Sequence, residues 1–201
     1  MNTKKNAMIA ILLTAILAFS PLAGFAQAAT TFSGQAVALK ANALGISLDV
    51  SDTGALPSSG GNLSTSVASV NVAGLASADV LKSTTSGSGT SSQSQSSAAN
   101  VNLLNGLITA DAVKSNSSAS CSGSTASTSG SAQIVNLVAA GQSITVAPNL
   151  AVSLPGGISL TVDEQTSSSS GNTGTITVNA LHVTGPAIDI VVASAHSDIT
   201  C

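Results

Sequence analysis

Tryptophan, tyrosine and arginine are missing from this chain, and aromatic residues make up only 1% of it. Charged residues supply just 6%. A nucleic-acid-binding surface needs a basic face to displace counterions, usually with rings on which bases stack. Five lysines against eight acidic residues, for a net charge of -3, provide no such face, so nucleic acid is excluded as a partner. Sugar-binding clefts commonly use Trp or Tyr as amphipathic platforms, so a conventional carbohydrate cleft is not expected either. What is abundant is aliphatic and hydroxylated: 43% of residues are apolar, and Ser and Thr together exceed a quarter of the chain. A high apolar fraction with small net charge marks a chain that folds rather than one that stays disordered.

Long hydrophobic runs are also scarce. The first stands at the start, where Lys4 and Lys5 precede Ala7 to Phe19 (AMIAILLTAILAF). Pro21 and Gly24 interrupt the run, and Ala26-Gln27-Ala28 offers a small-x-small cleavage site. This is the pattern of a secretory signal peptide over residues 1–28, cut between Ala28 and Ala29. The alternative, an uncleaved anchor, suits the run less well because about 20 residues are needed to span a bilayer. Residues 29–201 then form a single exported domain of 201 minus 28, or 173, residues with a formal charge of -5. No later apolar run reaches about 18 residues, so no transmembrane segment is expected after cleavage. The stretch Asp198-Ile-Thr-Cys201 carries no hydrophobic tail or basic stop, so release or non-covalent retention is expected.

Cysteine occurs twice, at 121 and 201. An even count in an exported chain reads as a disulfide between Cys121 and Cys201, with intermolecular pairing as the alternative.

The mature region alternates apolar and Ser-rich stretches. Thr31 to Val50 reads as one or two strands, followed by turn chemistry at Asp52-Thr-Gly54 and Leu56 to Gly61. An internal echo follows, in which Gly74 to Ser83 (GLASADVLKS) matches Gly106 to Ser115 (GLITADAVKS) at an offset of 32. Each copy is trailed by a Ser/Thr/Gly tract, Ser83 to Ser97 and Ser115 to Ser131. Two copies are too few for a repeat array, so they are read as equivalent hairpins of one domain, strand being preferred over a helix that would pair Asp79 with Lys82. Further strands are expected over Ser143 to Val146, Ala151 to Leu154, Ile158 to Val162, Thr175 to Val183 and Ile188 to Ala193. Pro148-Asn149, Pro155 to Gly157, Asp163 to Gly174 and Gly185-Pro186 separate them. The implied fold is all-β, a mainly antiparallel sandwich with long Ser-rich hairpin loops or arms whose hydroxyls face outward; a short β-solenoid is the alternative.

From Leu103 onward the order of motifs resembles the exported choice-of-anchor proteins, most closely the P type. The pieces are Leu104 to Lys114 (LNGLITADAVK), Cys121 in its Ser-rich setting, Ile134 to Gly141 (IVNLVAAG), Ile158 to Gln165 (ISLTVDEQ), Thr175 to Val183 (TITVNALHV) and Asp189 to Cys201. The resemblance implies a secreted, cell-surface-associated domain and no particular chemistry. This chain departs from the pattern in showing no sorting segment after Cys201.

No residue set stands out as catalytic. A Ser-His-Asp site could be written from His196 with Asp189 or Asp198, yet no Gly-x-Ser-x-Gly elbow occurs. His182, between Leu181 and Val183, reads as a hydrogen-bonded structural histidine. Zinc would need more than two histidines 14 residues apart. Asp49 to Gly54 and Asp163-Glu164 place oxygen atoms in turns without the twelve-residue calcium-loop pattern. Lys40, Lys82 and Lys114 could enter isopeptide bonds, but simple solvation is the commoner fate. Asn62-Leu-Ser64 and Asn116-Ser-Ser118 are glycosylation sequons only in a host with that machinery. The expectation is a non-enzymatic secreted or envelope-associated structural protein, without cofactor or metal, whose partners are itself or other envelope and matrix components. The alternatives are a matrix-fibre subunit that donates the strand Thr31 to Leu39 to a neighbour, and a secreted binding module or hydrolase.

Overall fold

The computed structural model describes residues 30–43 and 45–201, so the leader and the Ala28–Ala29 cleavage position lie outside the described residues. The described chain is built of strands: β1 (Thr31–Ala43), β2 (Ile46–Asp52), β3 (Gly61–Val72), β4 (Ala76–Ser88), β5 (Ser91–Leu103), β6 (Ile108–Ser122), β7 (Thr125–Val135), β8 (Val138–Ala139), β9 (Gln142–Ser143), β10 (Leu150–Leu154), β11 (Ile158–Ser170), β12 (Thr173–Gly185) and β13 (Ile188–Thr200). No described helix is long and apolar enough to cross a membrane.

Two antiparallel sheets pack face to face as a sandwich. Sheet I runs β10-β11-β12-β13-β1-β2; sheet II runs β3-β4-β5-β6, with β7 and the short β8-β9 pair continuing beyond β6. The echoed segments are indeed equivalent, each opening a hairpin in sheet II (β4–β5 and β6–β7). Both hairpins close on Gly-x pairs, Gly89-Thr90 and Gly123-Ser124, with the glycines at φ 58° and 62°. A glycine at the first central position suits the type II′ turn, whose twist matches that of the flanking strands.

Three sequence expectations change. Apart from the turns at Gly89-Thr90 and Gly123-Ser124 the Ser-rich tracts are strand, and their hydroxyls do not all face outward: Ser83, Thr85, Ser92, Ser94, Ser96, Ser115 and Ser117 are buried. Asp163 to Gly174 is not a connection, because β11 runs on to Ser170 and β12 begins at Thr173. The strand Ser143 to Val146 shrinks to β9.

Midway along the long strands the inward-facing set changes parity. In β4 both Ala78 and Leu81 point inward, with Val80 between them at φ 48° and 68% exposed. In β5 the pair is Ala98 and Val101 around Asn100 at φ 49°; in β13 it is Val192 and Ala195 around Ala193 at φ 53°. The offsets divide the interior into storeys. On one side lies the aliphatic core, including Leu39, Leu81, Leu103, Ile108, Leu160, Leu181 and Ile190, each such burial contributing roughly 1.5–3 kcal/mol. Next comes a layer of hydroxyls and glycine. At the far pole Phe32, Leu56, Ala119, Ala126 and Ile199 form a second small cluster beside the two cysteines.

The hydroxyl layer joins the sheets directly. Ser94 Oγ on β5 donates to the His196 carbonyl on β13 at 2.6 Å, Ser92 Oγ donates to the Ser33 carbonyl on β1 at 2.9 Å, and Ser117 Oγ meets Ser197 Oγ at 2.8 Å. A serine side chain is one carbon long, so these contacts require the sheets to approach closer than the usual spacing of about 10 Å. Larger side chains would force them apart. The scarcity of aromatic residues thus has a structural counterpart in a thin interior filled by Ser, Ala, Gly and Thr.

Both edges of sheet I reach across to sheet II at the level of the kinks. Ser51 Oγ of β2 donates to the Thr65 carbonyl of β3 at 3.2 Å. Asp163 of β11, buried and at φ 48°, accepts the Ala132 N–H of β7 at 2.9 Å and the Gln165 Nε2–H at 2.9 Å. Removing one partner of such a bond leaves a buried donor unpaired. Asp163→Ala is therefore expected to cost about 2 kcal/mol and to accelerate amide exchange at Ala132. Denaturant unfolding and exchange spectroscopy would measure both, and unchanged exchange at Ala132 would contradict the assignment.

Candidate functional site

Alternation along the central strands of sheet I places most of the chain's distinctive polar groups on its outer face. Register sets them in transverse rows. Thr161, His182, Val191, Lys40 and Asp49 lie side by side, as do Glu164, Asn179, Ser194, Val37 and Asp52, and Thr166, Thr177, His196 and Gln35. Five of the eight acidic residues, both histidines and Lys40 share this face. A shallow hollow of about 320 Å³ lies over it, lined among others by Gln35, Lys40, Asn179, His182 and His196.

His182 is the hydrogen-bonded histidine the sequence suggests, held between two carboxylates. Its Nδ1 lies 2.9 Å from Glu164 Oε2 and its Nε2 3.1 Å from Asp189 Oδ1. Glu164 Oε2 also accepts Asn179 Nδ2–H at 2.7 Å, and Asn179 Oδ1 accepts the Ser194 hydroxyl at 2.7 Å. Carboxylates only accept, so both His182 contacts are hydrogen bonds when the ring carries two protons.

His196 has a different setting. Its Nδ1 is 2.8 Å from Thr177 Oγ1, its register partner on β12, and its Nε2 is 2.9 Å from Asp198 Oδ2, two residues along the same strand. One proton assignment accounts for both contacts: Nε2–H donates to Asp198 Oδ2 and the Thr177 hydroxyl donates to Nδ1. That is a hydroxyl–imidazole–carboxylate line, and an imidazole so placed can take a proton from the hydroxyl. Acyl transfer further requires donors aimed at a developing oxyanion. Around Thr177 and His196 the β12 and β13 backbone groups are committed to the sheet ladders.

The structure therefore divides the two carboxylates sequence reasoning offered to His196: Asp198 joins it, while Asp189 serves His182. No serine stands in the nucleophile position. Thr177, Asn179 and Ser194 were missed, although their alternate spacing in expected strands (Thr175, Thr177, Asn179; Ser194, His196, Asp198) puts each trio on one face. The turn carboxylate of Asp52 caps the Gly54 N–H at 2.8 Å and accepts Gln35 Nε2–H at 2.8 Å. Asp163 and Glu164 point to opposite sides of β11 and do not form one ligand set. Among the described residues no group of three His, Cys, Asp or Glu side chains is placed to hold a metal ion. Lys82 and Lys114 lie in one row of sheet II with Ser97 between them, and Lys40 faces Asp49 across β1–β2.

Beyond that lysine row, toward the pole, the outer face of sheet II is uncharged. Thr84, Gln95, Asn116 and Ser131 form one transverse row, and Ser86, Gln93, Ser118 and Ser129 the next. At the pole, Cys121 at the end of β6 is disulfide-bonded to Cys201, which follows β13, so the bond ties sheet II to sheet I. The donor strand Thr31 to Leu39 lies within β1, paired on one side with β13 and, from Val37 onward, on the other with β2. Compared with known protein families, with characterised proteins and with solved structures, the chain matches none.

Proposed function

We propose that this chain is a non-enzymatic structural protein, exported to the cell surface or its surroundings, that packs there with copies of itself or with other envelope components. The observation that carries the reading is the Cys121–Cys201 disulfide, which joins the two sheets across 80 residues of sequence. Such bonds persist in oxidising compartments outside the cytosol. The leader pattern over residues 1–28 and the resemblance to choice-of-anchor proteins support the same location. The neutral Ser/Thr/Asn/Gln rows of sheet II supply a surface suited to close packing without charge repulsion.

Expression of the full chain with its own leader in an export-competent bacterium tests this. The expected product lies outside the cytoplasm, begins at Ala29 and carries no free thiol by mass spectrometry. Cytoplasmic retention with both thiols free would end the proposal. A second reading, a secreted hydrolase, draws on the Thr177–His196–Asp198 line. It requires ester or peptide hydrolysis by the purified protein that His196→Ala abolishes while the melting curve stays unchanged.

A further inference from the structure

We propose that the open edge of β3 docks against β3 of a second copy of this chain, antiparallel across a twofold axis, so that two copies of sheet II merge into one. The inference rests on the self-association named in the proposed function and assigns it to a surface.

Unpaired strand edges are templates for pairing with another chain, and proteins normally guard them with charge, proline, shortness or cover. Three of the four long edges here are guarded. β2 carries Asp49 and Asp52. The edge beside β10 is split between a five-residue strand and the part of β11 that holds Asp163 and Glu164. β7 has no charge, but its Ala126 N–H is taken by the Gly171 carbonyl at 2.9 Å and its Ala132 N–H by Asp163 at 2.9 Å. An N–H donates once, so these positions are closed to a new strand.

β3 has none of these protections. Its twelve residues, Gly61–Val72, include no charge and no proline, and among the described residues β4 is its only strand partner. Along its open edge the Thr65 carbonyl accepts Ser51 Oγ and keeps a second lone pair. The stretch Asn62 to Val67 precedes the kink of this strand and is regular. Its inward side chains Leu63, Thr65 and Val67 are only half-buried, and the two apolar ones border the two core clusters. A strand laid alongside would cover them.

The choice of a second copy follows from charge. Across a twofold axis a strand meets its own sequence reversed, so an edge whose charges are all of one sign opposes like charge with like. β2 would set Asp49 and Asp52 against their copies, whereas β3 has no charged residue to oppose. Twofold pairing also closes on itself, so the product is a dimer rather than a fibre.

Ser64 and Ser66 are exposed and face outward, so charge there leaves the monomer fold intact. Sedimentation of the mature protein at about 100 μM is expected to show a dimer, micromolar dissociation being usual for small interfaces. The double variant Ser64→Lys/Ser66→Lys is expected to weaken it about tenfold or more through like charges facing across the axis. Ser64→Glu/Ser66→Glu should do the same, and mixing the Lys and Glu variants should restore a heterodimer. A wild-type protein that is monomeric at this concentration overturns both this inference and the self-association behind it. A dimer or polymer that ignores the Lys variant overturns the β3 edge alone and leaves self-association standing.

Discussion

Reduction of the Cys121–Cys201 bond, or replacement of both cysteines by alanine, is expected to lower stability by about 4 kcal/mol. The sequence separation of 80 residues sets this value, because closing so long a loop removes that much conformational freedom from the unfolded chain in the entropy model. For a domain of this size the loss corresponds to a melting-point decrease of roughly 8–16 °C. The effect should also be localised. Cys121 and Cys201 lie against the small apolar cluster of Phe32, Leu56, Ala119, Ala126 and Ile199 at one pole of the sandwich, and their N–H groups bond the Thr90 and Asn172 carbonyls of two hairpin turns, each at 2.8 Å. Opening the bond frees that pole first, while the aliphatic storey around Leu81 and Leu181 keeps its packing. Thermal melts with and without reductant measure the total, and amide exchange maps its place. A loss under about 1 kcal/mol, or faster exchange at the aliphatic end instead, would refute the account.

The same pole shows how far the fold was legible. The disulfide could be read from the cysteine count. The all-β class and the starts of β10 to β13, to within two residues, could be read because Pro148-Asn149, Pro155 to Gly157 and Gly185-Pro186 punctuate apolar segments; the far ends of β11 and β13, at Ser170 and Thr200, could not. The Ser-rich arms could not. Strand recognition depends on apolar residues alternating with polar ones, but in β5 the buried set Ser92, Ser94 and Ser96 alternates with Gln93, Gln95 and Ser97. Hydroxyls occupy both faces because the interior there is too thin for anything larger, and the period-2 signal vanishes. The kinks hide a second part. Val80 is exposed only because its positive φ shifts the inward parity between Ala78 and Leu81; the apolar pattern GLASADVLKS then passes equally well for a helix. In the candidate site, His182 was readable from its own strand. The Thr177–His196 contact was not, since it depends on the β12–β13 register, which no local residue states.

Gly34→Ala is expected to cost about 3 kcal/mol, a large effect for one methyl group. Gly34 lies in β1 on the inner face, with ordinary strand geometry, so backbone conformation is not the reason for glycine here. Space is. A Cβ at this position would sit 2.7 Å from Thr85 Oγ1, 3.1 Å from Ser94 Oγ and 3.1 Å from the His196 carbonyl. Those three atoms form a chain of bonds between the sheets, Thr85 Oγ1 to Ser94 Oγ at 2.7 Å and Ser94 Oγ to the carbonyl at 2.6 Å. The methyl group must either break them or push the sheets apart along the hydroxyl layer, where packing has no slack. Overpacking and the loss of buried bonds therefore act together. Ser33→Val, one residue away on the outer face of the same strand, should change stability by less than about 0.5 kcal/mol. Removing the closest obstacle should restore part of the loss, so Thr85→Ala ought to be less harmful in the Gly34→Ala background than in the wild type, a non-additivity expected of residues in direct contact. Chemical denaturation of the four proteins of that cycle decides the matter: strict additivity, or a Gly34→Ala cost no larger than that of Ser33→Val, would show that the sheets are not held at hydroxyl-bonding distance.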